Sequence, residues 1–212
     1  MRTYPFRTPG ILPQIFSNFL WKVAPCEEQV LYLTFDDGPT PEATPYVLDL
    51  LDQFEAKATF FVVGENVERY PDLYDRLLAQ GHRVGNHTQH HISGWSTSVN
   101  TYEQDVALCG AAIGEVGSGS QVPLLFRPPF GQITLKKANL LRKQYRIVMW
   151  SLLSGDFDQK LNLSAALQAL DRAQPGDIIV FHDSAKSLSN LKQLLPSFLD
   201  RFHRKGYKFA AL

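Results

Sequence analysis

An α/β fold, with about seven parallel strands separated by helices, follows from two observations. Short apolar, β-branched runs recur at 30–35, 58–63, 82–86, 124–126, 145–150, 177–181 and 207–210. Longer stretches of helical period stand between them at 41–54, 67–80, 101–116, 135–143, 163–173 and 188–205. That alternation makes repeated βαβ units, which require a parallel sheet, and a barrel is one way to close such a sheet.

Taken in order, residues 1–28 form a proline-punctuated arm whose amphipathic piece, 11–21, is expected to pack on the body. The first strand runs straight into Asp36-Asp37-Gly38-Pro39, where a glycine-proline turn ends it and leaves two carboxylates at its carboxyl end. The third strand is followed by the histidine-rich run Gly85-Asn-His-Thr-Gln-His-His91, and the piece 114–120 reads as a loop into the fourth strand. That strand gives way to Phe126-Arg-Pro-Pro-Phe-Gly131, and the sixth ends in Phe181-His-Asp183. With 212 residues and no dividing linker, residues 29–212 read as one domain behind the arm.

Composition removes several functions. Lys plus Arg and Asp plus Glu are both 21, so the net charge is zero, which argues against nucleic acid and anionic membranes as partners. No run is long enough to span a bilayer, and the charged, proline-bearing start lacks the apolar stretch of a signal peptide, so the expected compartment is the cytoplasm. Cys26 and Cys109 are too few and too scattered for a disulfide framework and are read as core thiols.

The reactive residues sort onto one face. Asp36 and Asp37 follow strand one, His87 and His91 strand three, and Arg127 strand four, while His182 ends strand six; all lie at carboxyl ends, where barrel enzymes build their sites. Two adjacent acids repel each other, and a divalent cation or an arginine is the usual compensation, although Asp before Gly also serves as a turn former and helix cap. His87 and His91, four apart, share a face if their segment makes a helical turn, and with Asp37 they supply three ligands of a catalytic metal site with positions left open. His90 and His82 are read as structural or surface groups. Arg127 can reach Asp36 and keep it ionised. The prolines before Phe130 and Gly131 after it fix the Phe130 amide as an oxyanion donor. His182 has the chemistry of a general acid.

In this order the runs Thr34-Phe-Asp-Asp-Gly-Pro39, His87-Thr-Gln-His-His91, Arg127-Pro-Pro-Phe-Gly131 and Phe181-His-Asp183 resemble the polysaccharide deacetylases with a NodB homology domain, carbohydrate esterase family four. The resemblance runs from about Val30 to the C-terminus. It implies a deformed (β/α) barrel and metal-dependent removal of acetyl groups from N-acetylated, or in some members O-acetylated, sugars of an oligo- or polysaccharide. By the same resemblance Asp37, His87 and His91 are the metal ligands and Asp36 is the general base on the attacking water. Arg127 orients that base, the Phe130 amide stabilises the oxyanion, and His182 protonates the leaving amine. Two imidazoles and a carboxylate suit zinc first, with cobalt, nickel, manganese or iron open to the same ligands.

The sequence departs from the family at Leu153-Ser-Gly-Asp-Phe157, where the family reads Asp, two residues, Asp, Trp. Leu153 replaces the first acid, which supports the catalytic histidine, so His182 is expected to lack its anionic partner and to have a lowered pKa. That opens a second reading, a weakly active or inactive metal-dependent sugar-binding domain; a third is a small-molecule amide hydrolase. Asp156 matches the second acid, Phe157 replaces Trp, and Phe130 replaces the commoner Tyr. Pro129, Trp150, Asp156 and Phe157 are the substrate-site candidates, Trp150 and Phe157 being equally compatible with buried core.

Overall fold

Every strand pairing in the computed structural model is parallel, and the description covers residues 4–24, 27–114 and 124–212. The strands are β1 (Val30–Asp36), β2 (Thr59–Val62), β3 (Arg83–Asn86), β4 (Leu124–Phe126), β5 (Tyr145–Ile147), β6 (Leu152–Leu153), β7 (Ile178–His182) and β8 (Lys208–Ala210). The helices are α1 (Ile11–Ile15), α2 (Thr44–Gln53), α3 (Gly64–Arg69), α4 (Pro71–Ala79), α5 (Val99–Ala112), α6 (Leu135–Leu141), α7 (Leu163–Leu170) and α8 (Leu188–Arg204). The sheet order is β5-β4-β3-β2-β1-β7-β6, with β8 beside the start of β1, and the sheet curls into the deformed barrel expected of the sequence.

Strand side chains alternate between two buried environments, as the two-residue period of a strand demands. Leu31, Leu33, Phe35, Phe60, Ile179 and Phe181 point outward into the main core, which helices α2, α7 and α8 cover. Phe35 stacks between Phe60 and Phe181 at centroid distances of 5.0 and 5.9 Å. Phe61, Leu125, Val148 and Ile178 form a separate cluster, with Tyr32 packed on it. Because the parity of β1 puts Asp36 on the side of Tyr32 and Thr34, its carboxyl group faces Arg127 rather than the helices.

Two expectations about elements change. The helix expected at 67–80 is two, α3 and α4, because Pro71 drives Tyr70 out of the helical region to φ −130, ψ 59. The strand expected at 145–150 stops at Ile147; residues 148–151 leave the β4 edge and the chain re-enters the sheet beside β7 as the two-residue β6. Residues 115 and 116 of the expected helix 101–116 and most of the loop 114–120 lie outside the described residues, as does Cys26; Cys109 is buried on α5.

The arm fills the seam between the sheet's edge strands. Leu20 N–H donates to Ile147 O (2.8 Å) and Met149 N–H to Leu20 O (2.8 Å), extending the β5 side. Leu153 N–H donates to Phe6 O (2.7 Å) and Thr8 N–H to Ser151 O (3.0 Å), covering the β6 side. Asp177, at the foot of β7, anchors both arm segments through Arg7 (3.0 Å) and Lys22 (3.2 Å). Among the described residues no helix is long and apolar enough to cross a membrane.

Candidate active site

The Asp36-Asp37 turn is locked from β7. Asp183, the residue after His182, accepts hydrogen bonds from Gly38 N–H (3.1 Å) and from the Thr44 hydroxyl (2.6 Å), and its own N–H donates to Asp36 O (3.1 Å). Only glycine fits at position 38, since a Cβ there would lie 2.0 Å from Asp183 Oδ2. Burial pushes the Asp183 carboxyl up to about 8, against the Thr44 hydrogen bond. Asp37 itself takes a left-handed φ of 80°, which turns its side chain away from Asp36.

Arg127 is fully buried directly after β4, and four of its five guanidinium N–H groups are bonded. Nη1 donates to Asp36 Oδ1 and to Thr34 Oγ1, both at 2.7 Å, Nη2 to Met149 O (2.8 Å) and Nε to Val148 O (3.3 Å). The guanidinium lies 4.2 Å over the Phe61 ring. Burial lowers the Arg127 pKa while the Asp36 charge and hydrogen bond oppose the shift, and the two side chains meet through one short N–H···O bond. It leaves Asp36 Oδ2 without a protein partner among the described residues.

Asp37, His87 and His91 come together as the spacing predicts, although not on a helix. Residues 87–91 form an irregular loop in which Thr88 and His91 have φ of 68° and 53°. The ligand atoms of the three residues lie within 4.8 Å of one another; Asp37 Oδ1 is 3.2 Å from His91 Nε2 and 3.7 Å from His87 Nε2. The 3.2 Å spacing is close to the ~3.3 Å edge of a tetrahedron with ~2.0 Å metal–ligand bonds, and the other spacings are wider. His87 Nδ1 lies 2.7 Å from Arg127 O, and a carbonyl only accepts, so Nδ1 carries the proton and the Nε2 lone pair faces Asp37. Burial takes the His87 pKa down to about 4, keeping the ring neutral at pH 7, as a ligand must be. Burial alone would raise Asp37, but hydrogen bonding and charge from the neighbouring histidines hold it well below the usual carboxylate range. The chemistry of this donor set fits a divalent metal.

The loop is held by a residue that sequence reasoning missed. Asp105 on α5 accepts from His90 N–H (3.0 Å) and binds His90 Nδ1 (2.6 Å), while its carbonyl accepts from Gln89 N–H (3.1 Å). Gly64 and Glu65, at the start of α3, donate their N–H groups to Thr88 O and Gln89 O at 3.1 and 3.0 Å. A signal existed: Tyr102, Asp105, Val106 and Cys109 follow one helical stripe, all buried, so an acid on an apolar face needed a partner. His90 is thus structural, and so is His82, whose Nδ1 accepts the Ala58 N–H at 3.2 Å.

The expected loss of an acid partner for His182 does not occur. Asp156 accepts from His182 N–H (2.8 Å) and from His182 Nδ1 (2.7 Å) with its two oxygens. Burial works to lower His182, but the Asp156 charge and hydrogen bond outweigh it and raise the pKa to about 9. Leu153 instead sits in a buried strand beside Val180, so its replacement of an acid leaves no charge missing at His182. Asp156 is for the same reason not a substrate-lining group: it is fully buried and its carboxylate is committed to His182. Phe157 packs edge-on against the His182 ring at 5.1 Å.

Phe130 has φ 60° and ψ 9°, and no acceptor among the described residues takes its N–H. The residue is 62% exposed, and its ring packs 4.6 Å edge-on against the ring of His91. Gly131 has no room for a Cβ against the Trp150 ring, Pro129 is buried beneath the turn, and Trp150 is partly exposed at its side.

A profile described as polysaccharide deacetylase matches residues 24–147. The chain belongs to the polysaccharide deacetylase family. Among curated members it is 36% identical over 200 residues to a peptidoglycan-N-acetylglucosamine deacetylase of Bacillus cereus, covering 91% of this chain and 90% of that one. It is 30% identical over 205 residues to a chitooligosaccharide deacetylase of Rhizobium leguminosarum bv. trifolii, covering 88% and 91%. Among solved structures, a peptidoglycan N-acetylglucosamine deacetylase in complex with 4-naphthalen-1-yl-N-oxidanyl-benzamide superposes with a TM-score of 0.84 at 27% identity, covering 97% of this chain and 95% of that one. Members of this family are hydrolases acting on carbon–nitrogen bonds other than peptide bonds, and the alternation of strands and helices seen here is theirs.

Proposed function

We propose that this chain deacetylates N-acetylglucosamine units of a polysaccharide, with peptidoglycan as the first candidate, and that a divalent metal, zinc before cobalt, nickel, manganese or iron, is held by Asp37, His87 and His91. One observation carries the reading: a three-ligand cluster lies between a carboxylate held by Arg127 and a histidine held by Asp156, all at the carboxyl ends of the strands. The names of the relatives support the substrate class. The metal, when bound, supplies Lewis acidity and makes water a better nucleophile near neutral pH.

The protein side chains divide the remaining work. Arg127 holds Asp36 Oδ1, so Oδ2 is the atom that takes the proton from attacking water. The Phe130 N–H donates to the carbonyl oxygen as it gains charge. His182, with Nδ1 tied to Asp156, donates from Nε2 to the nitrogen of the breaking C–N bond. Acetate and a free amino sugar leave.

The test is acetate release from N-acetylglucosamine oligomers and peptidoglycan fragments by metal-stripped and zinc-loaded protein. Release that requires zinc, and that Asp36→Asn abolishes while zinc still binds, is the expected result. Asp36→Asn turning over at the parent rate would sink the assignment of the base, and release unaffected by stripping would sink the metal.

A further inference from the structure

Beside the catalytic turn, the N-terminal arm and the barrel rim enclose a groove of about 390 Å³. This falls within the ~300–1,000 Å³ typical of small-molecule pockets. Leu12, Phe16 and Trp21 of the arm form one wall, and Trp95, Phe130 and Trp150 form the other. The arm wall precedes residue 24, where the family profile begins. The hydrogen bonds and ion pairs across the seam fix the wall in place, so the groove exists before any ligand arrives.

Three of the polar side-chain groups that line the groove are already committed. Thr8 Oγ1 donates to Trp150 O (2.7 Å), Trp21 Nε1 to Phe16 O (3.0 Å) and the Tyr4 hydroxyl to Gly155 O (3.4 Å). No carboxylate, amine, imidazole or guanidinium lines it among the described residues. A buried sugar ring would lose water from several hydroxyls with few replacement partners and no acceptor among the lining side chains beyond Tyr4 and Thr8, whereas a hydrocarbon chain loses nothing. The groove also shares Phe130 with the triad, because that ring packs on His91 and its amide is the proposed oxyanion donor. Resting on the deacetylase reading, we propose that the groove is an acyl-binding subsite that takes linear N-acyl groups longer than acetyl on an amino sugar whose amide lies at the triad. Hydrolysis then breaks the same C–N bond, joins the oxygen of water to the acyl carbon and leaves a proton on the amine. A longer carboxylic acid is released with no further reactant.

All three tryptophans of the chain, Trp21, Trp95 and Trp150, line the groove, so intrinsic fluorescence reports its occupancy independently of turnover. The experiment titrates zinc-loaded Asp36→Asn protein with N-acetylglucosamine and with N-hexanoylglucosamine, then repeats both with Phe16→Ala, which opens the arm wall, and Leu12→Phe, which fills the groove. The hexanoyl sugar is expected to bind about tenfold tighter or better, from burial of its extra methylenes. Each arm variant is expected to remove that gain and leave N-acetylglucosamine affinity unchanged. In otherwise parental protein, kcat/KM for the two substrates should follow the same pattern. Equal affinity for the two sugars, or a gain that survives both variants, overturns the proposal. So does a chitotetraose-induced fluorescence change that Leu12→Phe blocks, since the occupant would then be sugar. If zinc-dependent acetate release fails while the hexanoyl preference persists, the deacetylase reading falls and the subsite stands.

Discussion

Asp156→Asn tests the acid half of the site most directly. His182 stands at about 9 against an ordinary 6.5, with Asp156 as the main group acting against the lowering effect of burial. The difference corresponds to roughly 3 kcal/mol favouring the protonated ring. At pH 7 the parent histidine is about 99% protonated, whereas a ring returned to 6.5 is about 25% protonated, and burial without the carboxylate takes it lower still. The alkaline limb of the kcat profile should therefore move from near pH 9 to below pH 6.5, with at least a fourfold loss at pH 7 on protonation alone. Stability moves with it. The folded-state value lies above the unfolded one, so the contribution of the pair is fully present below about pH 6.5 and disappears as pH rises through about 9. The assays are acetate release between pH 5 and 10, the NMR titration of the His182 ring, and urea midpoints at pH 6 and 10. An alkaline limb still near pH 9 in Asp156→Asn, with the variant folded, would refute the reasoning.

Other outcomes follow from single contacts. Asp105→Ala should weaken zinc binding by about 10–100-fold through loss of the loop clamp, measured by chelator competition, with Asp105→Asn intermediate because it keeps one acceptor. Gly38→Ala drives a Cβ into Asp183 and should cost about 1–3 kcal/mol by urea denaturation, with a parallel loss of metal affinity as Asp37 shifts. Asp177→Asn leaves Arg7 and Lys22 facing a neutral group and should cost about 1–3 kcal/mol, with earlier proteolysis in the arm. In the parent, donors from Arg7, Ser151 and Gln174 outweigh burial and lower Asp177, so its contribution is present above about pH 4 and disappears as pH falls through the lowered value; urea midpoints from pH 7 to 3 measure it.

Much of this was readable from residue types because the barrel strands are buried on both faces and announce themselves as apolar runs. Asp36, Asp37, His87, Arg127 and His182 were legible because strand ends fix which side of the sheet they occupy. What was not legible depended on neighbours distant in sequence. The strand expected through Trp150 ends early because Leu20 competes for the backbone groups of Ile147 and Met149. His87 and His91 meet through two left-handed residues rather than a helical turn, which local propensity does not predict. Asp156 reaches His182 because Leu153 and Ser154 place the following turn against β7, a tertiary fact that comparison with a motif position obscured.

The arm in the seam also orders events during synthesis. Arg7 leaves the ribosome 170 positions before its anchor, Asp177, and β1 must likewise wait for β7 and β8. Arm residues made well before their partners are thus among the last to settle, and the barrel assembles through long-range closure rather than by stacking finished units. Until Asp177 has emerged, the aromatic side chains of residues 4–21 lack their final cover, so translation speed through β5, β6 and β7 sets how long nascent chains expose a sticky leading segment.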